Sequence, residues 1–204
     1  MAISGEYWWV YLGTDAVHWA RRLSNEDRPR EEGTAATLAE CPIPSGARVV
    51  ACVPGQGVRV HWVAIPVRSR KRLLEALPFA LEEELLRDPA EYHLVPLKAV
   101  PALKERAVAV VEHHRMAAWV DPLRQQGYRL RMVLPDFLAM PAPTPDTWYL
   151  DATEAPMLLR RSEGFGGGSV PGELDERPPG ALLLALERAQ VGPEFLRVRV
   201  SGPE

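Results

Sequence analysis

Metal chemistry is the first kind of chemistry to consider, because Glu112, His113 and His114 are adjacent in the sequence and carry groups that bind zinc. These residues lie where a strand-like run meets a helix-like pattern, so their consecutive side chains point in different directions. No further ligand follows at the spacing that a zinc site needs. We therefore predict that the chain holds no metal ion.

A thiol nucleophile is the second candidate, formed by Cys52 with His61 as its base. Cys52 lies inside the apolar run 48–53, where a small buried residue is the commoner role of a cysteine. Cys41 and Cys52 are the two cysteines of the chain, and they fit neither a metal site nor a disulfide framework. We predict free thiols in a reducing compartment.

Residues 82–84, an acidic triplet, could act as general acid and base. They follow a segment in which leucines recur at three- and four-residue spacing, which predicts an amphipathic helix. The predicted core stripe of this helix is Leu74, Leu77, Leu81 and Leu85. A solvated helix face, or a contact for a basic partner, explains the glutamates better than catalysis does.

The same helix is predicted to begin after Ser69, as its N-cap, and to end near Asp88, before Pro89. Pro78 lies inside the pattern, where a proline removes one backbone hydrogen bond at a cost of about 3 kcal/mol. We expect a kink or a new helix start there. In a helix restarted at Pro78, the glutamates would lie in early turns, where the helix dipole favours them.

Four charged residues of this segment are the predicted partner-binding surface: Arg70, Arg72, Glu83 and Glu84. In an uninterrupted helix the arginines lie near the positive end of the dipole and the glutamates near the negative end. Each such placement costs about 0.3–1 kcal/mol, so these charges could be kept for a partner. A solvated surface that meets no partner explains the same residues and stays open as the alternative.

Composition limits the classes of protein that remain. The 204 residues, 47% hydrophobic and 25% charged, suffice for one large domain or two lobes. A net charge of −3 supplies no general basic surface, so we predict no nucleic-acid partner. No apolar run approaches the roughly 20 residues of a membrane-spanning helix.

Hydrophobic patterning predicts many short elements in an α/β arrangement. Strands are predicted at 6–12, 16–21, 48–53, 58–65, 92–95, 106–111, 128–134, 147–151, 155–161 and 195–200, and further helices at 114–126 and 181–189. Residues 24–34 are predicted to form an exposed loop, and residues 164–169, which read GFGGGS, a flexible tract.

Residues 77–95 read LPFALEEELLRDPAEYHLV, preceded by VVACVPGQGVRVHWVAIP and followed by AVAVVEHHRMAAWVDPLRQQGYRLRMVLPDFLAMP. The proline-containing helix, its glutamates, His93 and the later Pro135-Asp136 occur in the order that resembles the cytoplasmic region of the type II secretion system inner-membrane platform protein L. The resemblance extends over about residues 48–161.

This resemblance implies an α/β fold with mixed sheets, arranged as actin-like, ribonuclease-H-like lobes that are degenerate for nucleotide binding. We accordingly predict a first lobe at residues 1–145, with an inserted subdomain at about 57–100. A second, smaller lobe is predicted at residues 146–204.

The resemblance also implies a function and a set of partners. The N-terminal region of the secretion ATPase, component E, would dock on this chain, and components M and F would be its membrane partners. Dimerisation is also implied. A transmembrane helix and a periplasmic domain would follow Glu204, so the chain would be a soluble fragment that lies at the cytoplasmic face of the bacterial inner membrane.

Nucleotide-binding actin-like proteins carry Asp-x-Gly-Thr in the first hairpin, where residues 11–14 of this chain read YLGT. Tyr11 has no carboxylate to organise a metal. A second loop at residues 151–153 reads DAT and lacks the glycine that lets backbone approach a phosphate. We predict a scaffold without cofactor or enzymatic activity. The alternatives are a sugar-kinase-like or ribonuclease-H-like enzyme and an actin-like filament former.

Overall fold

A computed structural model describes residues 5–26, 28–67, 69–97, 105–162, 166–172, 174, 178–189 and 192–201. The strands in these ranges are β1 (Glu6–Leu12), β2 (Val17–Leu23), β3 (Glu31–Ala35), β4 (Arg48–Val53), β5 (Arg59–Val63), β6 (Tyr92–Pro96), β7 (Arg106–Glu112), β8 (Arg129–Pro135), β9 (Thr147–Ala152), β10 (Met157–Arg160), β11 (Gly167–Val170) and β12 (Phe195–Val200). The α-helices are α1 (Arg70–Leu81), α2 (His113–Gln125), α3 (Asp136–Ala139) and α4 (Gly180–Glu187).

The chain divides into two compact units. The first unit contains residues 1–54 and 114–139, and the second contains residues 55–113 and 140–204. Both units are discontinuous because residues 55–113 are inserted between β4 and the greater part of α2. The lobes predicted from the sequence, residues 1–145 and 146–204, differ from these two units. The predicted lobes stay a prediction.

The first unit is built on a five-stranded sheet in the order β3-β2-β1-β4-β8. β1 to β3 are antiparallel, whereas β4 runs parallel to β1 and to β8, as expected for the buried run 48–53. Val10, Val49 and Ala51 pack with Leu123 of α2 on one face of the sheet. Alternating residues therefore predicted the first hairpin correctly, and the continuous apolar run predicted the buried strand at 48–53.

The prediction of an exposed loop at residues 24–34 is wrong from Glu31 onward. Glu31 to Ala35 form β3, which pairs with β2 at the edge of the sheet. The charged side chains at the start of β3 remain exposed there. An edge strand tolerates such residues because its backbone pairs on one side only and its side chains reach solvent.

The second unit contains two sheets, each covered by a helix. α1 packs on the antiparallel sheet β5-β7-β6, where its leucines meet Val63 and Val108. α4 packs on the sheet β11-β10-β9-β12, where Leu182 joins Trp148 and Leu150. One helix thus covers the apolar face of each sheet.

The structure corrects the predicted course of α1 in three ways. Leu73, Leu77 and Leu81 form the buried stripe, whereas Leu74 is 43% exposed. The helix continues through Pro78 and ends at Leu81, so the predicted restart and the extension to Asp88 are wrong. Ser69 occupies the N-cap position, but its side chain makes no capping hydrogen bond.

The prediction of a flexible tract at residues 164–169 is also corrected. Residues 164 and 165 lie outside the described ranges, and Gly167 to Val170 form β11, which pairs antiparallel with β10. Strand pairing uses backbone N–H and C=O groups, so a glycine-rich segment can pair when a neighbouring strand offers a partner.

Candidate functional site

The first hairpin keeps the turn of a nucleotide-binding loop without its chemistry. The Tyr11 ring lies across the hairpin from His18, with ring centroids 6.0 Å apart. A Cβ at Gly13 would lie 2.7 Å from the carbonyl oxygen of Ala16, so this glycine is required by the close approach within the turn. Its presence is therefore explained without a phosphate.

The carboxylate of Asp151, in the second loop, is already occupied. Its Oδ1 accepts a hydrogen bond from the Thr153 hydroxyl at 2.7 Å, and its Oδ2 lies 2.8 Å from Nη2 of Arg199. Arg199 lies on β12, which pairs with β9. This ion pair stabilises the contact between the two strands and leaves Asp151 poorly placed to organise a metal.

A cleft of about 880 Å³ lies in the second unit, and its lining includes four glycines together with Gln56, Arg59, His61 and Ser169. None of its described lining residues is an aspartate or a glutamate. Nucleotide hydrolysis needs a magnesium ion held by carboxylates, and this cleft does not supply them.

The histidine pair His113 and His114 lies near His93. The ring centroids of His113 and His93 are 6.2 Å apart. Burial lowers the pKa of His93, and the nearby charge of His113 lowers it further, so His93 favours its neutral form. Within the described ranges, no group of His, Cys, Asp and Glu residues is assembled that could hold a metal ion.

Cys41 and Cys52 are both buried and neither forms a disulfide. Burial, reinforced by the charge of Asp136, raises the pKa of the Cys52 thiol to about 12. The Nδ1 of His61 lies 2.6 Å from Oε2 of Glu84. A nucleophilic role for Cys52 therefore has no support.

Cys52 should resist alkylation in the folded chain. A thiol with a pKa near 12 is about 0.01% thiolate at pH 8, and the thiolate is the reactive species. Iodoacetamide at pH 8 should label Cys52 in a Cys41→Ser variant only after urea unfolds the protein, as followed by mass spectrometry. Rapid, complete labelling of the native variant would contradict this expectation.

The structure places the four predicted partner-binding residues at the two ends of α1. Arg70 and Arg72 are exposed in its first turn, and Glu83 and Glu84 are exposed in the turn that follows Leu81. A helix of this length spans roughly 18 Å, so the helix separates the arginines from the glutamates. Because the glutamates follow the helix, the prediction that they lie in early turns is wrong.

Glu84 has a structural contact of its own. Its carboxylate and the His61 imidazole are 2.6 Å apart, which links the turn after α1 to β5. His61 is largely buried, whereas Glu84 is about half exposed. Glu84 therefore helps to fix the end of α1, and Glu83 is the better candidate for contact with a partner.

Phe79 lies in the last turn of α1, on the side opposite the buried leucines, and it is 78% exposed. Arg72 and Glu75 precede it by about two turns and one turn, so they share its side of the helix. Leu86, in the segment after the helix, is also exposed. We call Arg72, Glu75 and Phe79, with Glu83 in the following turn, the α1 outer face.

Sequence reasoning missed Phe79 although a signal for it was present. Phe79 is two residues from both Leu77 and Leu81, which places it about 200° around the helix from each of them. A residue so placed points away from the core. Its large apolar side chain on that side is the unusual feature that the leucine pattern obscured.

Residues 15–170 match the family model for protein L of the type II secretion system. The chain belongs to this family. Protein L of Dickeya chrysanthemi is 33% identical over 135 residues, which make up 66% of this chain and 32% of that relative. The chain thus spans about a third of the length of this protein L relative, and the resemblance predicted from residues 48–161 is confirmed.

Solved structures confirm the predicted fold class. The cytoplasmic domain of EpsL, an inner-membrane component of the Vibrio cholerae type II secretion system, aligns with a TM-score of 0.73 and 22% identity, covering 98% of this chain and 84% of that domain. A Bacteroides thetaiotaomicron protein with an actin-like ATPase fold aligns with a TM-score of 0.52 and 9% identity, covering 98% of this chain and 83% of that protein. This protein L family member therefore has mixed α/β sheets of the actin-like type.

No helix in the described part of this protein L family member is long and apolar enough to cross a membrane.

Proposed function

We propose that this chain is a non-enzymatic docking module of the secretion platform, which binds the N-terminal region of the secretion ATPase, component E. It would act at the cytoplasmic face of the inner membrane, anchored by a transmembrane helix elsewhere in the intact protein. Components M and F would be its membrane partners, and dimerisation remains part of the proposal. Membership in the protein L family supports this assignment.

The α1 outer face is the single observation that carries the docking role. Aromatic and arginine side chains dominate the energetics of protein interfaces, and Phe79 lies between Glu75 and Glu83 along the chain with most of its side chain exposed. Burying such a ring releases a large apolar area from water. A partner with an apolar pocket bordered by charges of both signs fits this surface.

The charged residues predicted from the sequence take different roles in this proposal. Arg72 forms the basic end of the α1 outer face and Glu83 forms its acidic end, whereas Arg70 is exposed in the first turn of the helix, outside this face. Glu84 supports the surface through His61. Charges at the rim of an interface chiefly steer association, whereas the central aromatic residue supplies most of the affinity.

Calorimetric titration of the ATPase N-terminal region into the chain tests the proposal. We expect a dissociation constant of about 1 μM to 10 μM, which corresponds to about −8.2 to −6.8 kcal/mol. The absence of association at concentrations of tens of micromolar would contradict the docking role.

A nucleotide-dependent enzyme is the rival function, and titration with ATP and magnesium separates the two. No binding heat is expected, because Tyr11 offers no carboxylate and Asp151 is paired with Arg199. Clear magnesium-dependent binding of ATP would contradict the scaffold role. Nucleotide-dependent light scattering would instead indicate a filament former.

A further inference from the structure

β1 presents two aromatic side chains to the face of the five-stranded sheet that lies opposite α2. Val10 packs with Leu123 of α2, and successive residues of a strand point to opposite faces, so Trp9 and Tyr11 lie on the other face. The register of the sheet extends this face as two neighbouring rows of side chains. One row is Trp9, Ala20 and Glu32, and the other is Cys52, Tyr11, His18 and Thr34.

These two rows line a cavity of about 550 Å³ in the first unit, together with Trp19, Gly33 and Ala139. The volume is typical of a site that takes a small group. No lysine or arginine is among the described residues that line the cavity. Glu32 supplies a carboxylate that forms no ion pair within the part of the chain that the structure describes.

The chemistry of this cavity favours a cation that also carries a hydrogen-bond acceptor. Aromatic rings such as those of Trp9 and Tyr11 attract a cation to their faces, and Glu32 adds a full negative charge. The Nε1 of Trp9 is buried and donates to no acceptor among the described residues. Buried polar groups in proteins are nearly always hydrogen-bonded, so an acceptor on the occupant would complete the site.

The separation of Trp9 from Glu32 sets the length of the occupant. The two residues lie on β1 and β3 with β2 between them, so their backbones are roughly 10 Å apart, at about 4.8 Å per strand. The short side chain of Ala20 lies between them in the same row. An arginine residue carries a guanidinium and a carbonyl oxygen at opposite ends of an alkyl stem, and its guanidinium both pairs with carboxylates and stacks on aromatic rings.

The exposure of the cavity distinguishes between a free ligand and a protein segment. His18, Glu32 and Thr34 are exposed, whereas a site for a free small molecule normally encloses most of its ligand. An arginine within a protein segment has flanking residues that add contacts outside the cavity. The exposed lining therefore favours a protein segment as the occupant.

We propose that this cavity binds an arginine side chain from an extended segment of a partner protein. The guanidinium pairs with Glu32, the alkyl stem lies on the rings of Trp9 and Tyr11, and the carbonyl oxygen of the arginine accepts a hydrogen bond from Nε1 of Trp9. This site is separate from the α1 outer face, so its tests and those of ATPase docking are independent.

Nuclear magnetic resonance of the Trp9 indole N–H tests this proposal in the 204-residue chain. The chain has six tryptophans, and the Trp9→Phe variant identifies the signal of Trp9. The probe is the peptide acetyl-GTRTG-amide, and its control carries citrulline, which is neutral and similar in shape, in place of arginine. We expect the arginine peptide to shift the Trp9 signal with a dissociation constant of about 0.1 mM to 1 mM.

The citrulline peptide is expected to bind about tenfold more weakly or worse, because it cannot form the ion pair with Glu32. Equal shifts of the Trp9 signal by the two peptides would overturn the proposal. The absence of any shift with the arginine peptide at about 10 mM would overturn it as well. If N-acetylarginine amide binds as tightly as the peptide, the assignment to a protein segment is wrong and the occupant is a small molecule.

Glu32→Gln should weaken the binding of the arginine peptide about tenfold or more, since it removes the carboxylate from the cavity. Glu31→Gln is the matched control, because it removes one negative charge from the same strand. Glu31 lies on the opposite face of β3, where it pairs with Arg21 at 3.1 Å, so its replacement should leave the affinity unchanged. An equal loss of affinity in the two variants would indicate general charge attraction and would overturn the proposed site.

Discussion

The Phe79→Ala variant is expected to bind the ATPase N-terminal region about tenfold more weakly or worse, because interface hot spots cost about 2 kcal/mol or more when truncated to alanine. Phe79 contributes little to the fold, since most of its side chain is in solvent. The thermal midpoint of unfolding should therefore stay within a few degrees of the parent value. Isothermal calorimetry of the two proteins against the same ATPase fragment measures the difference.

Phe195→Ala is the matched control, because it removes the same exposed side chain from β12. Its affinity for the ATPase fragment should equal that of the parent chain. An equal loss in both variants would indicate nonspecific apolar association. Unchanged affinity in Phe79→Ala would remove the α1 outer face from the interface.

Leu77→Ala is expected to give the largest loss of stability. The Leu77 side chain is fully buried between α1 and the sheet β5-β7-β6. Truncation of a buried leucine costs about 2–5 kcal/mol, since it removes apolar contacts and leaves a cavity. Urea unfolding followed by circular dichroism should show a lower midpoint with little change in slope.

Leu74→Ala supplies the control for this variant within the same helix. Leu74 is 43% exposed, so its truncation should cost less than about 1 kcal/mol. A cost at Leu74 equal to that at Leu77 would favour the stripe predicted from the sequence over the one in the structure.

Hydrophobic patterning predicted most of the strands because it reports directly on burial. The continuous apolar run of β4 predicted a buried strand, and residues 49–53 are all buried. The alternating aromatic residues near Tyr11 predicted the first hairpin, which the register confirms. These elements could be predicted because their hydrophobic patterns involve residues that are close together in the sequence.

The course of α1 could not be predicted with the same accuracy. Leu73 and Leu74 both continue a stripe through Leu77 and Leu81 at helical spacing, so periodicity alone admits either residue. Packing on β5-β7-β6 selects Leu73. Pro78 cannot donate a backbone hydrogen bond to the carbonyl of Leu74, yet the helix continues to Leu81.

The tyrosine at position 11 could be read from the sequence, whereas the ion pair of Asp151 could not. A missing carboxylate is visible in the sequence, whereas the partner of a carboxylate depends on which strands pair. Arg199 reaches Asp151 because β12 joins β9 across 48 residues of chain. In the same way, the contact of Glu84 with His61 depends on how α1 packs.

The charged residues of the candidate site were correctly predicted to be exposed. Their pattern in the sequence did not indicate that Phe79 lies among them. Arg70 and Arg72 lie in the first turn of the helix that exposes Phe79, and Glu83 lies in the turn after it. Their role in binding a partner stays a proposal. Truncation of Phe79 to alanine tests that proposal without changing any charged residue.

Hydroxyl-radical footprinting with and without the ATPase N-terminal region tests most directly whether the α1 outer face is the docking surface. Phe79 and Phe195 are the same residue type, and both are exposed in the chain, so each reports on its own surface. The docking role predicts that oxidation of Phe79 falls severalfold in the complex while oxidation of Phe195 does not change. Equal oxidation of Phe79 in the free chain and in a saturated complex would contradict it.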